Sequence, residues 1–360
     1  MSRFLNSRYS TLEPYTPGEQ PKVNGRLIKL NTNENPYPPS PKVIEVINNE
    51  ELQKLKLYSD PAASDLTAEI AVFYGIKQEQ VMVGNGSDEV LAFVFMALRG
   101  SNETIYYPEI SYSFYPVYCD IFQARGVKVP LREDFSIGAS DYFNLDGTIV
   151  ITNPNAPTGR ALTLEEIESI LINNEENLVV IDEAYVDFGA ESAVKLIDRY
   201  DNLLIVQTFS KSRSLAGARI GFAMGSEEII ADMNRLKFSF NPYNLNRLSI
   251  LAGTEAMKDR TYFEDTRHRI IETREAFVKE MEEMGFDILP SKTNFVFATN
   301  SRIAGEAYFR ALRERNIIVR HFKDRKICDY VRITIGTPEE MKALTDATRE
   351  ILENFREEKN

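Results

Sequence analysis

An α/β fold is predicted: a mostly parallel sheet sandwiched by helices, a smaller α+β domain at the C-terminal end, and an N-terminal arm. Three observations predict it. Between about residues 42 and 240, short apolar runs alternate with helical patterns, which is the signature of a parallel sheet covered on both faces. Beyond about residue 240 the pattern becomes a long amphipathic helix followed by short apolar segments. Residues 1–30 carry turn signals and little periodic apolar pattern. The 360 residues exceed what one core usually serves. An arm at 1–30, a large domain at 31–245 and a small domain at 246–360 are expected.

The arm contains the turn signals Glu13-Pro14-Tyr15 and Pro17-Gly18. Residues 31–41, NTNENPYPPSP, hold four prolines and cannot be helical. Residues 81–83 read as a short strand, followed by GNGSDE and an apolar helix at 90–98. Further strands are expected at 104–107, 149–152, 178–181 and 203–206, each with turn residues after it. Thr163 and Glu166 form a capping box, and Ile167, Ile170 and Leu171 make one helical face. In the C-terminal part Phe263, Ile270, Phe277 and Met284 recur every seven residues on one long helix. Apolar segments at 294–298 and 317–320 follow, then VRITIG, and a last helix opens at Thr337-Pro338-Glu339-Glu340.

Composition excludes several classes. The net charge of −12 disfavours nucleic acid and anionic membrane as main partners. No run of about 18 apolar residues is present to span a bilayer, and the N-terminus has no apolar core of a secretory signal. Cys119 and Cys328 lie far apart and form no CxxC pair, which fits a reduced, cytoplasmic setting. The two histidines, His268 and His321, offer no metal-ligand cluster.

In a parallel α/β sheet the site lies beyond the carboxyl ends of the strands, and four groups of residues follow the strands here. Gly84-Asn85-Gly86-Ser87-Asp88-Glu89 leads into a helix, whose free N–H groups suit a phosphate. The Asp88 carboxylate is expected to turn away as a cap. Tyr112, in PEISYSFY, can stack on a planar ring. Asp182 ends the strand at 178–181 and can pair with a protonated ring nitrogen, while Tyr185 can donate to a ring oxygen. Last comes QTFSKSRSLAGARIG at 207–221. There Ser210 and Arg219 suit a phosphate, and a poorly hydrated Lys211 would form a Schiff base. Each group also has a plain structural reading: a tight turn, a rim aromatic, a strand-end cap, a surface lysine. Their succession along one sheet points to a phosphorylated aromatic cofactor.

NPNAPTG at 153–159, IDEAYVDF at 181–188 and SKSRSLAGARIG at 210–221 resemble the motifs of the fold-type-I aminotransferases, which use pyridoxal 5′-phosphate. Within that group PYTPGEQP at 14–21, NENPYPPSP at 33–41, YSDP at 58–61, GNGSDE at 84–89 and VRITIGT at 331–337 resemble the histidinol-phosphate aminotransferase family. The resemblance covers the whole chain. It implies that Lys211 bears the cofactor and acts as general base, and that Asp182 partners the pyridine nitrogen. It implies Tyr185 for the phenolic oxygen, Tyr112 for ring stacking, and Gly86, Ser87, Asp88, Ser210 and Arg219 for the phosphate. Tyr58 matches a tyrosine that reaches the phosphate of the other subunit, which implies a homodimer with shared sites. Arg332 matches the grip on the substrate's anionic group, with Arg320 and Tyr15 as substrate-phosphate contacts.

The implied reaction is reversible amino transfer between an amino donor, L-histidinol phosphate, and a 2-oxo acid acceptor, 2-oxoglutarate. An aromatic amino acid aminotransferase and a phospho-amino-acid decarboxylase are the alternatives within the same fold. One departure stands out. Related enzymes place an asparagine directly before Pro-Thr-Gly, and this chain has Ala156 there. Either Asn155 or Asn153 takes over its contact, or Tyr185 acts alone.

Overall fold

The computed structural model describes residues 9, 12–20, 27–97 and 104–357, with side chains to 355. The rest of the expected arm, Pro21 of PYTPGEQP and residue 98 of the helix expected at 90–98 lie outside the described residues. In chain order the strands are β1 (Ile28–Lys29), β2 (Val81–Gly84), β3 (Thr104–Pro108), β4 (Arg125–Val129), β5 (Thr148–Thr152), β6 (Val179–Asp182), β7 (Leu203–Thr208), β8 (Gly221–Gly225), β9 (Asp287–Ile288), β10 (Phe295–Thr299), β11 (Ile317–Ile318), β12 (Arg320–His321) and β13 (Val331–Thr334).

β5, β6 and β7 are buried along their whole length, as strands covered on both faces must be. They form the centre of a seven-stranded sheet of order β2-β8-β7-β6-β5-β3-β4. β7, β6, β5, β3 and β4 pair in parallel, and β8 runs antiparallel to both β7 and β2. Two strands had no apolar run to announce them. β4 is an edge strand with three exposed residues, and β8 is GFAMG, whose glycines hide the pattern. Gly221 is required by a close approach: a Cβ there would lie 2.2 Å from the backbone nitrogen of Ser87. β8 thereby lies directly under the start of the helix Gly86–Ala97.

The second sheet has four strands in the order β12-β13-β10-β9, all antiparallel. The long helix, Arg260–Glu283, buries Phe263, Ile270, Phe277 and Met281. The last helix, Pro338–Glu357, opens on a capping box in which Thr337 N–H donates to Glu340 at 2.9 Å and Glu340 N–H donates to Thr337 at 3.3 Å. The apolar segment 317–320 is split: β12 joins this sheet, while β11 pairs in parallel with β1 from the N-terminal part of the chain.

The apolar cores do not divide exactly where the composition shifts. The helix Arg247–Lys258 lies beyond residue 245, yet its Ile250, Ala252, Ala256 and Met257 sit in a core with Leu66, Ile70 and Phe222 of the large layer. Conversely Ile28 and Leu30 belong to the core of the four-stranded sheet. The chain therefore enters through the second layer before it builds the first.

Because the Gly221 Cβ position is occupied by backbone, which cannot swing aside, Gly221→Ala should destabilise the fold by about 1–3 kcal/mol. Denaturant-induced unfolding checks this, and an unchanged midpoint would contradict the close approach.

Candidate active site

Three buried strands end side by side in Thr152, Asp182 and Thr208, and all three residues line one cavity of about 380 Å³. The alternation of a strand sends the Asp182 side chain to the face opposite its neighbour Glu183. Asp182 faces the cavity; Glu183 turns into the core, where it accepts from Ser192 Oγ, the Ala193 N–H and Gln207 Nε2. Asp182 Oδ2 accepts a hydrogen bond from the Tyr115 hydroxyl at 2.8 Å. Burial pushes its pKa up to about 6, and the Tyr115 bond works against that rise.

Lys211 follows β7 in the same wall. Its Nζ donates to the Thr32 carbonyl at 3.2 Å. Burial pushes its pKa down to about 8, helped by the positive charges of Arg332 and Arg219 and opposed by Glu34 and Asp88. The loop that carries it is fastened on both sides. Asn35 Nδ2 donates to the Lys211 and Ser212 carbonyls at 3.0 and 3.2 Å. Ser212 donates to Asp187. Arg213, which has no role in the sequence reading, is buried with its guanidinium 4.0 Å from the Phe263 ring centroid and 4.7 Å from that of Phe73.

At the far side of the cavity Gly86 and Ser87 open the helix Gly86–Ala97, whose first N–H groups have no intrahelical partners. Arg219 sits at φ 54° and lays its guanidinium over Gly86, where a Cβ would meet it at 2.4 Å. Ser210 is buried beside Thr208, whose hydroxyl donates to Ser210 Oγ at 2.9 Å. Asp88 is not the turned-away cap expected from the sequence. Its carboxylate lies between Tyr112, which donates to it at 2.6 Å, and Arg219, which donates at 2.8 Å. Glu89 caps instead, accepting from the Asn85 N–H at 2.6 Å. The longer side chain reaches back one turn, and Arg219 draws the shorter one into the cavity.

The remaining wall comes from the second sheet. Arg320 and Arg332 are direct cross-strand partners on β12 and β13, and both line the cavity. Like charges placed opposite each other are unfavourable. They are retained over the Phe322 ring, 5.7 and 5.8 Å from its centroid. Arg332 donates to the Asn31 carbonyl at 2.9 Å, and its Nε is buried with no partner among the described residues. Tyr15 lines the same corner, where burial raises its pKa and both arginines, close enough to act on it, oppose that rise. Such a corner is built for an anion.

Three expected residues do not line the cavity: Gly86, which lies beneath the Arg219 guanidinium, Asn155 and Tyr58. Asn155 is buried, but its Nδ2 donates to the Ile110 carbonyl at 2.9 Å and to Thr158 Oγ1 at 3.1 Å. It ties its loop to the segment at Ile110, and Ala156 and Pro157 face the cavity in its place. Asn153 is likewise bonded to the backbone of Leu162. Tyr58 is 81% exposed and stacks on Tyr243 with centroids 4.5 Å apart, outside the cavity of its own chain. Residues not foreseen include Asn33, whose amide donates to Tyr185 at 2.9 Å, together with Thr32, Tyr115 and Phe322. The dense polar run NTNEN before the prolines was the available signal for the first of these. Tyr115, in the first turn of the helix Phe114–Phe122, had none.

The family model for aminotransferase class I and II matches residues 26–347. The chain belongs to that family. This aminotransferase is 52% identical to a histidinol-phosphate aminotransferase of Brachyspira hyodysenteriae, over 98% of this chain and 100% of that one. It is 51% identical to one of Clostridium acetobutylicum, again over 98% and 100% of the two chains. Among solved structures, a histidinol-phosphate aminotransferase of Clostridium acetobutylicum aligns with TM-score 0.83 at 25% identity, covering 91% of this chain and 100% of that one. One from Sinorhizobium meliloti, in complex with pyridoxal-5′-phosphate, aligns with TM-score 0.82 at 22% identity, covering 91% of each. These likenesses carry the α/β fold of the aminotransferase.

Lys211 in the isolated chain should react with an amine-directed acylating reagent with a midpoint near pH 8. The sign follows from its cause: burial favours the neutral amine, so the nucleophilic form appears below the ordinary lysine range. Peptide mass spectrometry across pH reads this, and a midpoint at the ordinary value of about 10.4 would contradict the assigned environment.

Proposed function

We propose that this aminotransferase interconverts L-histidinol phosphate plus 2-oxoglutarate and imidazole-acetol phosphate plus L-glutamate. The observation that carries the reading is the cavity itself, which sets an activated lysine between two separate anion sites. One is the helix start at Gly86 and Ser87 with Ser210 and Arg219; the other is the Arg320–Arg332 pair. A phosphorylated cofactor and an anionic substrate need one each. Both substrates supply an anion near the reacting amine, a phosphate in one and an α-carboxylate in the other. The relatives at about half identity bear the same name over their full length.

The cofactor is pyridoxal 5′-phosphate, and the residues present fit it. Gly86 leaves room for Arg219 over the helix start, and the Asp182 carboxylate is aimed into the cavity without a cationic partner among the described residues. In this reading Gly86, Ser87, Ser210 and Arg219 hold the phosphate, and Asp88 orients Arg219 and Tyr112 rather than touching the phosphate. Tyr112 covers the ring, Asp182 holds a proton on the ring nitrogen, and Tyr185 donates to the phenolic oxygen. When bound, the cofactor accepts the electron pair left as the substrate carbon loses its proton.

Lys211 is the attachment point. With substrate bound, its neutral Nζ would be the base that takes the proton from the substrate carbon. Arg332 and Arg320, with Tyr15, orient the substrate anion so that this carbon faces Lys211. A paired cation at Asp182 would pull that carboxyl back down from about 6, leaving it ionised at neutral pH.

We propose further that the enzyme is a homodimer in the cytoplasm. Leu57, Tyr58 and Phe240 are 58%, 81% and 67% exposed in one chain, an apolar surface that a second copy would cover. There Tyr58 would reach the phosphate of the neighbouring site. Cys119 and Cys328 form no disulfide among the described residues, and no described helix is long and apolar enough to cross a membrane.

Adding histidinol phosphate to the holoenzyme should shift its visible band in a single half-reaction, and kcat/KM should exceed that for phenylalanine or tyrosine by at least ~100-fold, as expected when buried charged groups are left unpaired by the wrong substrate. Equal values would favour an aromatic aminotransferase, and release of carbon dioxide a decarboxylase. Lys211→Ala should lose essentially all turnover, by about 10⁴-fold or more for a residue that is both attachment point and base. Sedimentation should give a particle twice the 41.1 kDa of one chain, with Tyr58→Ala loosening cofactor retention; a fully active monomer would overturn the shared site.

A further inference from the structure

The Tyr185 hydroxyl accepts a hydrogen bond from Asn33 Nδ2 at 2.9 Å in a buried part of the wall. The atoms around Asn33 fix the sense of that bond. The Asn33 backbone N–H donates to Thr334 Oγ1 at 3.0 Å, and the Thr334 hydroxyl has Asn33 Oδ1 as its acceptor at 3.1 Å. Turning the amide over would set two donors on Thr334 Oγ1 and leave its proton without an acceptor in a dry wall, which is costly. Oδ1 therefore faces Thr334 and Nδ2 faces Tyr185. Rotation of the residue is also resisted by its backbone: φ is 56°, and its carbonyl accepts from Asn294 Nδ2 at 3.0 Å.

With one lone pair of Tyr185 taken by Asn33, the hydroxyl proton has to point elsewhere. Tyr185 makes no other hydrogen bond among the described residues, and it lines the cavity. Its neighbour Ala156 brings only a methyl group to that wall, the Asn153 amide is bonded to Leu162, and the Asn155 amide nitrogen donates to Ile110 and Thr158. Without Asn33, the Tyr185 hydroxyl would be free to rotate.

We propose that Asn33 is a positioning residue, which occupies a lone pair of Tyr185 and so directs the Tyr185 proton onto the phenolic oxygen of the bound cofactor. This rests on the reading of Tyr185 given above and adds to it the group that orients the donor. The same bond draws the Tyr185 hydroxyl toward greater acidity, against the larger effect of burial and alongside Arg332, and a more acidic hydroxyl is the better donor. Thr334 and Asn33 come from opposite ends of the chain, 301 positions apart. The orientation therefore depends on the second sheet being docked against the segment before the prolines.

The test is the pH titration of the visible band of the holoenzyme, with the cofactor's dissociation constant as a second readout. A donor on the phenolic oxygen stabilises the oxygen anion and holds the midpoint low. The charged groups around Tyr185, namely Arg332, Lys211, Asp182 and Asp88, are the same in Tyr185→Phe, in Asn33→Ala and in their double variant. Tyr185→Phe should raise the midpoint and weaken cofactor binding. Asn33→Ala should raise it by about half a unit to one unit, the scale of one net hydrogen bond. The double variant should titrate like Tyr185→Phe alone, because Asn33 acts only through Tyr185.

Asn33→Asp keeps the size and the Thr334 contact but turns the donor into an acceptor that captures the Tyr185 proton. It should raise the midpoint at least as far as alanine does, and it carries the test if Asn33→Ala does not fold, read against Asn33→Asp combined with Tyr185→Phe: the added charge acts in both backgrounds, the lost orientation only where the hydroxyl is present. An unchanged midpoint in the Asn33 variants beside a shifted Tyr185→Phe would overturn the role of Asn33. Full additivity in the double variant would do the same. No shift in Tyr185→Phe would overturn the reading of Tyr185 as well.

Discussion

The active site depends on one short segment, residues 30–35, which crosses between the two sheets and bonds to both. Leu30 accepts from the Thr334 N–H at 3.0 Å, and Asn31 accepts from Arg332 at 2.9 Å. Thr32 accepts from Lys211, Asn33 donates to Tyr185, and Asn35 donates to the loop that carries Lys211. Each bond on its own is worth about 1 kcal/mol. Their importance is geometric: one stretch of chain sets Arg332, Lys211 and Tyr185 at fixed positions relative to one another. The prolines that follow keep this stretch from joining a helix, so its polar groups remain available for those contacts.

Charge is organised around the same segment. Lys211, Arg332, Arg320 and Arg219 face one cavity in a chain with a net charge of −12. Burial first, and then the charges of Arg332 and Arg219, move the Lys211 pKa down, which gives a neutral amine close to physiological pH. Crowded cations of this kind are stabilised by any anion that enters the cavity and supplies the counter-charge. Asp88 and Asp182 are spaced through the cavity rather than paired with these cations wholesale: Asp88 takes Arg219, and Asp182 is left with a tyrosine donor.

Much of this was legible in the sequence for a stated reason. Strands buried on both faces are continuous apolar runs, so β5, β6 and β7 announce themselves, and the residues just past them, Asp182, Tyr185, Ser210 and Lys211, follow from the rule that sites lie at carboxyl ends. β4 and β8 were silent because an edge strand and a glycine-rich strand carry no apolar pattern. Asp88 and Glu89 exchanged roles because the choice between capping a helix and meeting Arg219 depends on side-chain reach in three dimensions. Asn155 was expected at the cofactor because of its place beside Ala156, yet its amide faces Ile110.

The sequence by itself determined the α/β class, the order of the strands that bear the site, and the chemical types gathered there, because local periodicity and strand-end position are properties of neighbouring residues. The tertiary structure alone decided which groups touch. It joined Asn33 to Thr334, paired Arg320 with Arg332 under Tyr15, and placed Tyr115 on Asp182. It also left Tyr58 on the outer surface. Contacts between residues hundreds of positions apart are set by how two sheets dock, and no local pattern encodes that register.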